Sequence, residues 1–186
     1  MDNRQILRIA IRNPILQNGY IGTIPENMLP KLSLADIKRR KKPCFIIVNT
    51  QSDPNLFGHW ILFVIKSNRK LIFFDSLGNH PFKYGTNIAE FCCRFKNIVL
   101  CTRKQLQSSK SITCGAFCIY VAMKICENRS VESIMKTFDL KRLENNDLMV
   151  EKFTVKLMNG ELRCSDELCG AKTFETLCEA VCTCRH

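Results

Sequence analysis

The stretch Gly58-His59-Trp60-Ile61-Leu62-Phe63-Val64-Ile65-Lys66-Ser67-Asn68-Arg69-Lys70-Leu71-Ile72-Phe73-Phe74-Asp75 decides the fold. Two runs rich in aromatic and branched side chains, 59–66 and 70–75, flank Ser67-Asn68-Arg69, a natural hairpin loop. If Lys66 pairs with Lys70 across that three-residue loop, the register continues to His59 opposite Leu77. Asp75 then lies one diagonal step from His59 on the same face, where Cβ atoms stand ~7 Å apart or slightly less. An imidazole and a carboxylate can bridge that gap. A two-residue loop would flip the parity and send the two side chains to opposite faces. A carboxylate that ends the apolar Leu71-Ile72-Phe73-Phe74 also needs a partner, and histidine is a good one.

Outward from the hairpin, Phe45-Ile46-Ile47-Val48 reads as a buried strand and Asn97 to Thr102 as another. Ile6, Ile9, Ala10 and Asn13 keep helical spacing up to Pro14, which predicts a short amphipathic helix at the start. Residues 19–43, with Gly19, Gly22, Pro25 and Pro30, read as a loop-rich stretch. Tyr84 to Phe95, Val131 to Phe138 and Asn146 to Met158 look helical, and Cys114 to Glu127 is a strongly apolar helix. This order predicts an α+β domain over 1–160, with a mainly antiparallel central sheet packed against the buried helix that starts at Cys114. Residues 161–186 differ in composition and are expected to form a separate Cys-rich tail.

The start of that apolar helix is where chemistry is expected. Cys114-Gly115 follows the polar Ser108-Ser109-Lys110-Ser111, so the sulfur falls at a helix N-terminus, beside a glycine that lets substrate backbone approach. A free thiol titrates near ~8.5, and a helix dipole with a nearby imidazolium lowers this enough to make a nucleophile. The plainer reading is that Cys114 only begins a core helix. His59 shifts the balance, being one of 3 histidines and opening a strand. With Asp75 orienting it, its second nitrogen is free to take the thiol proton and return it to a leaving amine. The backbone N–H of Cys114 and the side-chain amide of Gln107 are candidate oxyanion donors, although as a polar loop residue Gln107 is matched by Gln105.

Composition sets the limits. With 186 residues and 46% hydrophobic side chains, the chain can bury one core. No apolar run approaches the ~18 residues of a membrane span, and the first residues lack the pattern of a secretory signal. The expected setting is therefore the inside of a cell or virion, with no membrane partner. The 12 cysteines are read mostly as reduced, with Cys44, Cys92, Cys118 and Cys126 as core residues. Cys164, Cys169, Cys178, Cys182, Cys184 and His186 fit no standard zinc spacing, so no metal site is assigned. A formal charge of +11 makes DNA or another polyanion a candidate partner. The densest run, Lys38-Arg39-Arg40-Lys41-Lys42, reads either as a solvated loop or as a nuclear address or phosphate contact.

Gly58-His59-Trp60, Phe74-Asp75-Ser76-Leu77-Gly78, Gln107 and Cys114-Gly115-Ala116-Phe117-Cys118, in that order, resemble the adenovirus protease (adenain) family of cysteine endopeptidases. Tyr20-Ile21-Gly22-Thr23 and Ile47-Val48-Asn49-Thr50 extend the resemblance, which covers roughly residues 19 to 127. It implies a papain-like arrangement of Cys114, His59, Asp75 and Gln107, cleavage after small residues near glycine in virion precursor proteins, and residence in the host nucleus or virion. It also implies activation by DNA and by a short basic peptide, with no cofactor required for the chemistry. Cys101 lies nearer to Gln107 than the family's peptide-linking cysteine does, and is given no such role. Asp75 stands where human adenovirus enzymes have glutamate, so transposon and insect-virus relatives fit as well.

Proteases of ubiquitin-like modifiers are similar in the order of these elements. They usually have a glutamine six residues before the cysteine and an aspartate directly before it, whereas here the gap is seven and the preceding residue is Thr113. A third alternative, of another class, is a basic Cys-rich nucleic-acid-binding module with an inactive protease core.

Overall fold

A computed structural model describes residues 1–52 and 58–161, and the hairpin lies at its centre. Five strands, β1 (Tyr20–Pro25), β2 (Cys44–Asn49), β3 (Trp60–Ser67), β4 (Lys70–Phe74) and β5 (Asn97–Leu100), form one sheet in the order β1-β2-β3-β4-β5. The centre, β2-β3-β4, is antiparallel, and both edge strands run parallel to their neighbours. Parallel neighbours need long crossovers, and helical segments fill both connections.

The hairpin reaches the expected register by a different route. Leu62 pairs with Phe74 and Ile65 with Leu71, as a three-residue loop would require. At the tip, however, Ser67 pairs with Lys70 across the two-residue turn Asn68-Arg69, and the register shifts between Ile65 and Ser67. The extra residue, Lys66, forms a bulge that restores the parity a two-residue turn alone would have reversed. His59 lies just ahead of β3. Its carbonyl accepts from Thr50 N–H at 2.9 Å and its N–H donates to Thr50 Oγ1 at 3.1 Å, which extends the ladder by one rung.

Among the described residues, seven α-helices surround the sheet: α1 (Asn3–Arg12), α2 (Pro14–Gln17), α3 (Leu34–Arg39), α4 (Thr86–Cys93), α5 (Cys114–Cys126), α6 (Val131–Met135) and α7 (Leu143–Met158). Asp2 and Gln5 form a capping box on α1, which buries Ile6, Ile9 and Ala10. Asn13 ends that helix and caps the next, accepting from the N–H groups of Ile15 and Leu16. Because the strands alternate, Phe45, Ile47, Leu62, Val64, Ile72 and Phe74 pack toward α1, α5, α6 and α7, while Ile46, Val48, Ile61, Phe63, Leu71 and Phe73 pack toward α3 and α4. The apolar helix expected on the sheet is α5, buried over nearly its whole length. The opposite face is covered as well, which the single-helix expectation did not include.

Three local expectations need correction. The stretch expected to be loop contains β1, a 3₁₀ helix (Glu26–Lys31) and α3; Gly22 and Pro25 lie in β1, where an edge strand tolerates them, and Pro30 lies in the 3₁₀ helix. The basic run is half helix. Lys38 and Arg39 close α3, and Lys42 Nζ turns back to donate to the carbonyl oxygens of Ile37 and Arg40. The helix expected over Tyr84 to Phe95 is interrupted at Gly85, whose φ of 98° ends a 3₁₀ turn, Pro81–Tyr84, before α4 begins. From position 162 onward, the Cys-rich tail expected over 161–186 lies outside the described residues. Cysteines 44, 92, 93, 101, 114, 118 and 126 are free thiols. No helix among the described residues is long and apolar enough to cross a membrane.

Past β4 the chain turns tightly, with Gly78 N–H donating to Asp75 O at 3.0 Å. Gly78 has φ 72°, and a Cβ placed there would lie 2.6 Å from the Lys104 carbonyl carbon. Both the conformation and the backbone in its way require glycine. We expect Gly78→Ala to cost ~1–3 kcal/mol of stability, read from the urea unfolding midpoint. An unchanged midpoint would show that the turn tolerates a side chain.

Candidate active site

Asp75 follows the last residue of β4 and is 1% exposed. An ionised carboxylate at that depth is costly unless its oxygens find donors. Asp75 finds four. Oδ1 accepts from His59 Nε2 at 2.5 Å and from Leu77 N–H at 2.9 Å, and Oδ2 accepts from Asn79 N–H at 2.9 Å and Tyr84 OH at 2.7 Å. Burial pushes the carboxyl pKa up, but the hydrogen bond and charge of His59, with the bonds from Tyr84 and Leu77, bring it below the ordinary value.

The same bond orients the base. With Nε2 held by Asp75, Nδ1 is the ring nitrogen left for a second partner, and Cys114 is close enough to shift the imidazole's pKa. Burial works against the imidazolium, yet the hydrogen bonds to Asp75 and Cys114 and the charges of both groups raise the His59 pKa to about 9. Cys114 moves the opposite way. Burial pushes its thiol up, and the hydrogen bond and charge of His59, with backbone bonds from Trp60 and Gly115, bring it below the usual thiol range. Cys114 is the first residue of α5, where unpaired N–H groups and the helix dipole add to the same effect. Both shifts run in the direction of a thiolate–imidazolium pair.

One turn along the same helix, Cys118 shows the contrast. Fully buried, it donates its S–H to Trp60 O at 3.4 Å, and burial raises its pKa well above the ordinary value. It is a packing residue. Cys44 and Cys92 are likewise fully buried and shifted upward by burial.

Gln107 is buried, and its amide is fixed at both ends. Oε1 accepts from Ser76 Oγ at 2.7 Å, while Nε2 donates to Ser111 O at 2.7 Å, which leaves one amide hydrogen uncommitted. Ser76 O also accepts the N–H groups of Leu106 and Gln107. Adjacent residues at the end of β4 thus hold the two halves of the site: Asp75 orients the base and Ser76 orients the amide. Gln105, indistinguishable from Gln107 by sequence context, donates its side-chain amide to Gln107 O.

Tyr84 was not expected here. Besides bonding Asp75, its ring stacks on His59 with centroids 6.0 Å apart and 26° between planes. Its own hydroxyl pKa is driven upward by burial and by Asp75, so it stays a donor. No spacing rule points to it, because its position depends on the 3₁₀ turn that Gly85 ends. Among the described residues, no group of three or more His, Cys, Asp or Glu side chains is placed to hold a metal ion.

No protein-family model matches the chain, and neither does any curated protein. Solved structures do. A crystal structure of an ASFV protease superposes with a TM-score of 0.59 at 14% identity, over 83% of this chain and 66% of that one. The chain shares that protease's fold. The central domain of an uncharacterized protein from Legionella pneumophila aligns at a TM-score of 0.50 and 14% identity, over 86% of this chain and 96% of that one. The chain spans about two thirds of the length of the ASFV protease.

The Asp75–His59 bond makes a direct prediction. We expect an NMR titration to find the His59 imidazole near a pKa of about 9, and Asp75→Asn to bring it down toward the ordinary range near ~6.5. The sign follows because removing the negative partner leaves burial, which disfavours the charged ring, less opposed. An imidazole that titrates identically in both proteins would end the orienting role of Asp75.

Proposed function

We propose that this chain is a cysteine endopeptidase of the adenovirus-protease type that cleaves viral or virus-like precursor proteins of the capsid or core during virion maturation. The observation that carries the reading is the hydrogen bond that holds His59 Nε2 on the buried Asp75 carboxylate, with Nδ1 left free and the thiol at the start of α5 lowered in pKa by that same imidazole. Cys114 Sγ attacks the scissile carbonyl as thiolate, forming a tetrahedral oxyanion. Collapse breaks the C–N bond, and His59 gives its proton to the departing amine. His59 then takes a proton from water as that water attacks the acyl-thioester, and the returning thiolate leaves the acid product. The uncommitted amide hydrogen of Gln107 and the N–H of Cys114 are the donors assigned to the oxyanion.

The shared fold with the ASFV protease supports proteolysis on this scaffold. The wide gap between Gln107 and Cys114, with Thr113 ahead of the cysteine, supports the viral over the modifier-processing branch. In this reading the protein works in the host nucleus or virion, the charge of +11 serves DNA as an activating partner, and a basic peptide is a second candidate activator.

Peptide-library profiling of wild type beside variants, with and without DNA, tests the proposal. We expect His59→Ala and Cys114→Ser to abolish turnover and Gln107→Ala to lower it by ~10²-fold or more. DNA is expected to accelerate the wild type at low salt and to lose its effect as salt rises. A parallel assay presents a modifier fusion. Cleavage of the fusion, with Gly-containing capsid-site peptides left intact, would move the substrate class to ubiquitin-like modifiers. Selective alkylation at no cysteine, with no turnover, would instead leave a binding module with an inactive core.

A further inference from the structure

α7 lies outside the region of family resemblance, yet two of its residues reach into the site. Asp147, near the start of that helix, is 9% exposed and accepts from Ser108 N–H through Oδ2 at 3.1 Å and from Thr113 Oγ1 through Oδ1 at 2.7 Å. These donors sit at the two ends of the loop between Gln107 and Cys114. One carboxylate thus spans the segment that separates the assigned oxyanion donor from the nucleophile. Its neighbour Asn146 is 2% exposed, donates Nδ2–H to Leu106 O at 2.9 Å and Asp139 O at 2.7 Å, and accepts from Asp139 N–H at 2.8 Å.

Inside the loop the contacts are mutually dependent. Thr113 Oγ1 bonds Ser111 Oγ at 2.6 Å, Thr113 N–H donates to Ser111 Oγ at 3.2 Å, and Ser111 O is the acceptor for Gln107 Nε2. If Asp147 releases Thr113 and Ser108, Ser111 loses its anchor and the Gln107 amide loses the partner that aims it. Neither Asp147 nor Asn146 hydrogen-bonds His59, Asp75 or Cys114 among the described residues; the Asp75 carboxylate takes its bonds from His59, the turn after β4 and Tyr84.

We propose that Asp147, supported by Asn146, is a positioning residue for the oxyanion side of the site: it sets the shape of the 107–113 loop and thereby the aim of Gln107, leaving the thiolate–imidazolium pair untouched. The inference rests on the cysteine-protease reading. A buried carboxylate whose two oxygens each take one donor from one loop holds that loop at two points, and misplacing a catalytic donor by about 1 Å costs up to ~10²-fold in rate.

The test is a double-mutant cycle in the full chain. Asp147→Ala is expected to lower kcat by about 10- to 100-fold with KM nearly unchanged. Iodoacetamide alkylation of Cys114, which needs no oxyanion donor, should keep its wild-type rate and pH profile. Gln107→Ala combined with Asp147→Ala should lose little beyond Gln107→Ala alone, because both remove the same stabilisation. Asp147→Asn, which keeps the volume while replacing one accepting oxygen, serves where the alanine variant unfolds, with thermal melting run beside each assay.

Losses that multiply in the double variant, or alkylation that slows in step with turnover, overturn this proposal while the protease reading stands. Absence of wild-type turnover overturns the protease reading and this proposal with it.

Discussion

A carboxylate that must remain charged while buried governs this architecture. Asp75 follows the four apolar residues Leu71-Ile72-Phe73-Phe74 that end β4, and desolvating it without partners would cost several kcal/mol. Its four donors come from the strand before, from the turn after and from a tyrosine farther along. Meeting that requirement explains features that look unrelated. The bulge at Lys66 keeps His59 on the right face, the turn after Asp75 delivers two backbone N–H groups, and the break at Gly85 keeps Tyr84 out of α4, at the end of a 3₁₀ turn. A buried ion pair of this kind is weak ground for stability. Its effect here is geometric: the bond to Asp75 fixes the imidazole through Nε2 and leaves Nδ1 free.

The chemistry follows from where strand ends and helix starts meet. β3 and β4 run antiparallel, so the start of one and the end of the other lie side by side, and His59 and Asp75 occupy those adjacent termini. α5 packs its buried length on the same face and presents its first residue, Cys114, to them. Chain termini of regular elements carry unpaired backbone groups, so a site assembled there has donors available without added side chains. Ser76 then links this half to the other, because its hydroxyl and carbonyl hold Gln107 and Leu106 while its neighbour holds the base. The molecule thereby separates two tasks. One hydrogen-bonded group sets the proton affinities of thiol and imidazole, and another, closed by α7, sets the loop beside them.

Much of this was legible beforehand, and the reasons differ by element. The hairpin was legible because alternation with period two couples register to facing, so His59 and Asp75 were paired from their positions alone. That result survived a wrong turn length only because the bulge supplied the missing residue. α5 was legible from its continuous apolar character, and Cys114 from its place at the boundary. β1 was not, since its glycine and proline carry loop signals and its strand state depends on partners 24 or 25 residues away, seen in Tyr20 opposite Phe45 and Pro25 opposite Asn49. Tyr84 and Asp147 were equally hidden, each being an ordinary polar residue in a segment whose motif content is nil.

By itself, then, the amino-acid sequence determined the strand pairing at the centre, the apolar helix and the meeting of His59 with Asp75, because those depend on local periodicity and on residue types with narrow chemistry. Tertiary structure alone decided which uncharged and acidic side chains complete the site. Tyr84 over any other hydroxyl and Asp147 over other surface acids were selected by packing distance between segments remote in the chain, and no one-dimensional pattern encodes a distance.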